Sequence, residues 1–245
     1  MTQSEIKFIK SLSQQKYRKE YNAYLVEGNK NAKEWMESDA AIKYVVAEKD
    51  WLDRYAHLIQ KHPEATVREV PSYILEKVST LHTVNEVLLV VAKPVSEVTN
   101  IIDTWTIALE KVQDPGNMGT IIRTAAWFGI KHILCSEDCV EIYNPKVVQA
   151  TMGGLLQVQV SYQSLPSFFE SCTMPIYAAC LQGQSLGTFK QPNPGIILMG
   201  NESKGLSDEL LQKAQYKVTI PQLGKAESLN VAVAAGIICA SFLLQ

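Results

Sequence analysis

From residue 105 onward, short and fully apolar runs alternate with stretches of helical period, and this alternation most constrains the fold. Strands are expected over 105–110, 132–135, 158–162, 176–180, 195–199 and 216–220. Helices are expected over 117–128, 144–156, 206–214 and 228–244. Strands with no polar side belong to a parallel sheet covered on both faces. In such sheets ligands bind where loops leave the carboxyl ends of the strands. Elementary topology predicts an unknotted doubly wound sheet.

The first 93 residues alternate less regularly. A helix over 5–20, a strand over 24–28 closed by Gly28, a helix over 30–36, a strand over 42–47, a helix near 52–60 and an apolar strand over 84–92 suggest a small α/β domain. Residues 94–104, with Pro94 and a polar composition, read as a linker, leaving 105–245 as the second domain.

Three loops at strand ends are rich in Gly, Asn, Glu and Ser. The first, 110–123, contains Asp114-Pro-Gly-Asn117, and Asn117 is read as the cap of the following helix. Arg123 then lies over Thr120 and the side-chain-free Gly119, an arrangement suited to an anion at a helix N-terminus. In the second, 200–207, a buried strand runs into Gly200, Asn201 and Glu202, with Ser207 as the next cap and Asp208 and Glu209 in its first turn. In the third, 221–230, Ser228 is read as the cap of the last helix and Asn230 as a polar residue in its first turn. That helix is apolar nearly all round, which requires burial on several sides or a subunit interface.

Composition excludes several classes. The cysteines form no CxxC pair and the four histidines have no ligand spacing, so buried free thiols and no metal site are expected. No apolar run is long enough to span a bilayer, and residues 1–10 show no signal-peptide pattern, so a cytoplasmic protein is expected. The net charge is −2, yet residues 1–33 carry seven basic and three acidic side chains, a local +4 suited to a phosphate backbone.

The loops together resemble the three motifs of the SpoU (TrmH-type) branch of the SPOUT RNA methyltransferases. The matching stretches are 112–125, 199–207 and 220–234, in the family's order, and Tyr143-Asn-Pro-Lys-Val-Val148 is similar to a further family segment. Tyr24-Leu-Val-Glu-Gly28 is similar, less extensively, to the substrate-binding domain often fused ahead of it. The sequence departs from the family at Ala232, Gln149 and Thr151. The resemblance implies a parallel-sheet SPOUT domain with a C-terminal trefoil knot, preceded by a small α/β substrate-binding domain over 1–93. It implies a homodimer that acts on RNA, ribosomal RNA ahead of transfer RNA, and transfers a methyl group from S-adenosylmethionine to a ribose 2′-hydroxyl. By the same resemblance Gly200, Ile220 and Leu229 hold the cofactor, and Asn117, Arg123, Glu202, Ser228 and Asn230 form the catalytic set. Two rivals make different predictions. A non-catalytic RNA-binding protein of the same fold would bind without turnover. A dinucleotide-dependent oxidoreductase would need a third glycine after Gly116-Asn-Met-Gly119, which the sequence lacks.

Overall fold

The computed structural model describes residues 1–81, 83, 85–94, 104–190, 192–201 and 203–244. The chain forms two compact units, Met1–Val98 with Tyr143–Leu156, and Thr99–Ile142 with Gln157–Gln245.

The first unit begins with α1 (Gln3–Ser11) and α2 (Gln15–Glu20), followed by β1 (Ala23–Glu27), α3 (Asn29–Glu37), β2 (Ile42–Ala47), α4 (Lys49–Arg54) and α5 (Ala56–Ile59). It continues with β3 (Thr66–Glu69), α6 (Ser72–Val78) and β4 (Val87–Ala92). Its sheet has the order β1-β4-β2-β3, with β4 antiparallel to both β1 and β2, and β3 parallel to β2. The single helix expected over 5–20 is broken at 12–14. Arg18 turns inward, 2% exposed, and donates to the carbonyl oxygens of Leu12 (2.9 Å) and Ser13 (2.8 Å), the groups that a continuous helix would have bonded internally. The helix expected near 52–60 is likewise two, and β3 and α6 were not anticipated.

The second unit contains β5 (Thr106–Leu109), α7 (Pro115–Trp127) and β6 (His132–Cys135). The chain then contributes α8 (Pro145–Thr151) to the first unit. The second unit resumes with β7 (Gln159–Tyr162), α9 (Leu165–Ser171), β8 (Ile176–Ser185), β9 (Ile196–Met199), α10 (Asp208–Lys213), β10 (Tyr216–Thr219) and α11 (Val231–Leu243). All five pairings in the order β10-β8-β9-β5-β6-β7 are parallel, as the apolar strands require. On one side Ala108, Leu134 and Leu198 pack with Leu165, Phe169 and Leu210 of α9 and α10. The alternate residues Ile107, Ile133 and Ile197 are equally buried, so the central strands are covered on both faces, while the edge strands β7 and β10 are largely exposed. Trp105, Tyr177 and Phe189 surround Phe242 of α11 at ring-centroid distances of 5.1–5.6 Å, which anchors the C-terminal end of that helix.

Within the first unit, α8 is part of the core. Val148 is buried in one cluster with Tyr24, Val26, Trp35 and Leu89. Tyr143 packs on Tyr24 with centroids 4.6 Å apart, and Asn31 Nδ2 donates to Gln149 Oε1 (3.1 Å). The helix expected over 144–156 ends early, at Thr151, where Met152 (φ 48°) and Gly153 (φ 84°) take left-handed conformations.

Candidate active site

The first loop starts at the carboxyl end of β5. Asp114 caps α7, its Oδ1 accepting from the Asn117 amide (2.8 Å), and Pro115 occupies the first helical position. The cap is therefore Asp114 and not Asn117, because the Asp-Pro pair supplies both preferred terminal residues and places the cap three positions earlier. This leaves the Asn117 carboxamide to work elsewhere. Its Oδ1 accepts from Asn230 Nδ2 at 2.8 Å, across 113 residues of sequence. Gly119 is buried in α7, whereas Arg123 is exposed and pairs with nothing among the described residues.

The second loop is fastened to the first. Asn201 Nδ2 donates to the Lys111 carbonyl (2.8 Å), and the Glu110 carboxylate, 6% exposed, accepts from the Ser207 amide (2.8 Å). Asn201 Oδ1 also accepts from the amides of Ser203 and Lys204 (2.9 and 3.1 Å), and its backbone pairs with that of Gly205 in both directions (3.0 and 2.9 Å). The close turn explains Gly200. A Cβ there would stand 2.4 Å from the Gly205 carbonyl carbon and 2.5 Å from the Leu206 nitrogen, both backbone atoms. Ser207 precedes α10 without a side-chain cap, and the acidic first turn is as expected. Glu202 lies outside the described residues. Sequence reasoning missed Glu110. The available signal was a carboxylate placed directly after a fully apolar strand, where burial demands a donor.

In the third loop residues 221–230 are exposed. Asn230, not Ser228, caps α11: its Oδ1 accepts from the amides of Ala232 (2.9 Å) and Val233 (3.3 Å). The final helix therefore starts at Val231, and Ser228 sits in the exposed loop two residues before the cap. One carboxamide thus holds the amino end of α11 with its oxygen and the amino-terminal part of α7 with its nitrogen. Asparagine is as good a cap as serine, and unlike serine it has a second group to spare.

Gly200, Ile220, Ser228 and Leu229 line one cavity of about 790 Å³. Its apolar side comes from Val218, Ala234 and Ile238, and Glu227 adds a carboxylate. Asn117, Arg123 and Asn230 do not line it, although Asn230 lies between two residues that do, Leu229 and Val231. Leu223 and Leu181, also lining, are 99% and 72% exposed, apolar surface available to a ligand ring. The volume, the apolar wall and the irregular backbone of two loops fit an adenosine-containing ligand such as S-adenosylmethionine, with Glu227 set against the lining lysines Lys204 and Lys217. The Cys139 thiol is lowered to about 7, chiefly by the neighbouring Cys135 thiol, against the opposing effect of burial. The Cys139 thiol donates to the Leu109 carbonyl (3.3 Å).

The SpoU rRNA methylase family model matches residues 104–240, and that of the MRM3-like substrate binding domain matches residues 3–89. An uncharacterized tRNA/rRNA methyltransferase of Synechocystis is 40% identical over 136 residues, 54% of this chain, which spans half that relative's length. The 23S rRNA (guanosine(2553)-2′-O)-methyltransferase RlmP of Bacillus subtilis is 26% identical over 96% of this chain and 94% of its own. Among solved structures, a TrmH-family RNA methyltransferase of Porphyromonas gingivalis superposes with a TM-score of 0.85 at 35% identity, covering 99% of this chain and 98% of that one. An AdoMet-bound rRNA methyltransferase of Sinorhizobium meliloti gives 0.87 at 28% identity, covering 99% and 95%.

Proposed function

The chain belongs to the SpoU rRNA methylase family, and from that premise we propose that it transfers the methyl group of S-adenosylmethionine to a ribose 2′-hydroxyl of RNA, ribosomal RNA ahead of transfer RNA. The observation that carries the proposal is the Asn117–Asn230 hydrogen bond of 2.8 Å. It joins the first and third motifs at the amino ends of two helices, beside a cavity lined by Gly200, Ile220 and Leu229.

The cofactor, when bound, supplies a methyl group already activated on a sulfonium. What this chain must do is activate and align the acceptor, since the RNA's ribose hydroxyl is a weak nucleophile until its proton is leaving. Arg123 is exposed and cationic, suited to grip an RNA phosphate and to stabilise the developing alkoxide. Arginine stays protonated in proteins, so a phosphate oxygen or water takes the proton. Asn117 and Asn230 orient the acceptor ribose and one another. Ser228 hydrogen-bonds substrate or cofactor from the cavity wall, and Glu202 offsets the charge of Arg123 or of the cofactor. Gly200, Ile220 and Leu229 hold the cofactor.

In this reading residues 1–93, completed by 143–156, are the RNA substrate-binding domain, 94–104 the linker and the remainder of 105–245 the methyltransferase domain, knotted at its C-terminal end. The protein acts as a homodimer in the cytoplasm. Val233, Ile237 and Leu244 on or beside α11, with Trp127 at the end of α7, are apolar side chains 37–85% exposed on two helices packed together, surface suited to a second copy. No helix among the described residues is long and apolar enough to cross a membrane.

The test is transfer of labelled methyl from S-adenosylmethionine to ribosomal RNA lacking its native methylations, followed by nucleoside analysis. A labelled 2′-O-methylnucleoside is expected with wild type. Arg123→Ala should lower transfer at least a hundredfold, about 2.7 kcal/mol of transition-state stabilisation, while cofactor affinity changes less than threefold. Equal loss of both would refute the role given to Arg123. RNA binding with no transfer by wild type would refute the reaction.

A further inference from the structure

The basic amino-terminal hairpin of α1 and α2 has a surface that the catalytic reading leaves unused. Its charges sort into two kinds. Arg18 is buried against the Leu12 and Ser13 carbonyls, and Glu5 is held by Arg68, with Nη2 at 2.7 Å and Nε at 3.0 Å from the same carboxylate oxygen. What remains toward solvent on the two helices is Lys7, Lys10, Lys16 and Lys19 against Glu20 alone. The charge is therefore not consumed in internal pairs.

The same hairpin carries a tier of aromatic rings. Phe8 and Tyr44, half-buried on the core beneath, form its base, with centroids 5.8 Å apart. Tyr21, 40% exposed, meets the edge of Phe8 at 4.9 Å and lies nearly parallel to Tyr17, with 14° between planes and 6.2 Å between centroids. Cations flank these rings. Lys16 Nζ sits 5.6 Å from the Tyr17 centroid, and Lys43 Nζ donates to the Tyr21 carbonyl at 3.1 Å. A buried arginine fixes the turn between the two helices, so the rings are presented on a braced support.

We infer that this Tyr17–Tyr21 platform, flanked by Lys16 and Lys43, is a docking surface for an unpaired segment of RNA, with bases stacking on the tyrosines and phosphates meeting the lysines. The inference rests on the proposed RNA substrate and assigns a particular face of the leading unit to it. Parallel aromatic rings beside lysine cations match a single strand, whose bases are free to stack. A duplex keeps its bases inside and offers the tyrosines nothing. An acidic protein would satisfy the lysines but would not require the ring faces.

The experiment measures binding of the full chain, without cofactor, to a labelled twelve-nucleotide oligouridine strand and to an RNA duplex of equal length. Wild type is expected to prefer the single strand. Tyr17→Ala/Tyr21→Ala should weaken it at least tenfold, and Tyr17→Phe/Tyr21→Phe, which keeps the rings, should bind within twofold of wild type. Lys16→Gln/Lys43→Gln should reduce the slope of log affinity against log salt by about 1.4, at about 0.7 per lost phosphate contact on a single strand. Should the alanine pair fail to fold, as judged by its circular dichroism, the lysine pair decides. Wild-type affinity in the alanine pair, an unchanged salt slope in the lysine pair, or equal binding of duplex and strand would overturn the inference. Strand binding through these residues by a chain that transfers no methyl group would refute the proposed reaction and leave the surface standing. Methyl transfer with unaltered binding in both variants would do the reverse.

Discussion

Asn230 performs two tasks with one carboxamide, and substitution can separate them. Asn230→Ala removes both. The lost cap on the Ala232 and Val233 amides costs about 1 kcal/mol. The lost bond to Asn117, in an exposed setting, adds about 0.5 kcal/mol. The sum of about 1.5 kcal/mol should lower the unfolding midpoint of the second unit by roughly 3–6 °C at this chain length. Asn230→Asp keeps the capping oxygen, and its negative charge is favourable at a helix amino end. It replaces the donor facing Asn117 Oδ1 by an acceptor, so the link can be restored only by turning the Asn117 amide over, away from its present arrangement. The aspartate variant should therefore keep its stability within about 0.5 kcal/mol and lose roughly tenfold or more in methyl transfer, the equivalent of about 1.4 kcal/mol. Calorimetry and the labelled-methyl assay on the three proteins provide the comparison. Wild-type turnover by the aspartate variant would refute the view that the Asn117–Asn230 link orders the site. Undiminished stability in the alanine variant would refute the capping account.

Other perturbations test other parts. Gly200→Ala drives a Cβ into the Gly205–Leu206 backbone and should cost about 1–3 kcal/mol, with cofactor affinity falling at least tenfold by titration calorimetry; an unaffected affinity would separate this turn from the cavity. Phe242→Ala empties the centre of the Trp105–Tyr177–Phe189 cluster and should destabilise the second unit by about 3–4 kcal/mol in urea unfolding. The Arg68 guanidinium, with help from the Thr2 amide, holds the Glu5 carboxyl at about 2, below its usual 4.5. A depressed folded value means that this stabilisation is complete above about 4.5 and disappears as pH falls toward about 2. Carbon-13 NMR of the Glu5 carboxyl should show its midpoint rising toward 4.5 in Arg68→Gln; an unmoved midpoint would assign the depression to the helix cap instead.

The middle of the second sheet was legible because β5, β6 and β9, buried on both faces, leave an unbroken apolar signature, and β6 falls where the sequence reading puts it. The missed elements lack that signature. β3 alternates half-buried and exposed residues at a sheet edge, and α6 and α9 are seven residues each, two turns that barely establish a period. The break between α1 and α2 was invisible because Arg18 reads as one more solvent-facing cation until its carbonyl partners are known. At the site, the motif residues could be named but not their connections. Which oxygen caps a helix depends on the reach of a side chain over two or three residues, and Asp114 and Asn230 each displaced a plausible neighbour. The Asn117–Asn230 and Glu110–Ser207 bonds join residues 113 and 97 positions apart, information that no local spacing carries.

The placement of α8 bears on how such a chain can be cut and recombined. The polypeptide changes unit three times, after Val98, Ile142 and Leu156, so neither unit is one uninterrupted stretch of sequence. A fragment ending at residue 98 would lack Val148 and bare the Tyr24 face of its own core, while a fragment starting at residue 104 would carry α8 without the cluster that buries it. Exchange of the leading unit between relatives is therefore not a single splice. The graft must bring residues 143–156 from the middle of the downstream half, and Tyr24 and Val148 must be inherited as a matched pair although 124 positions separate them.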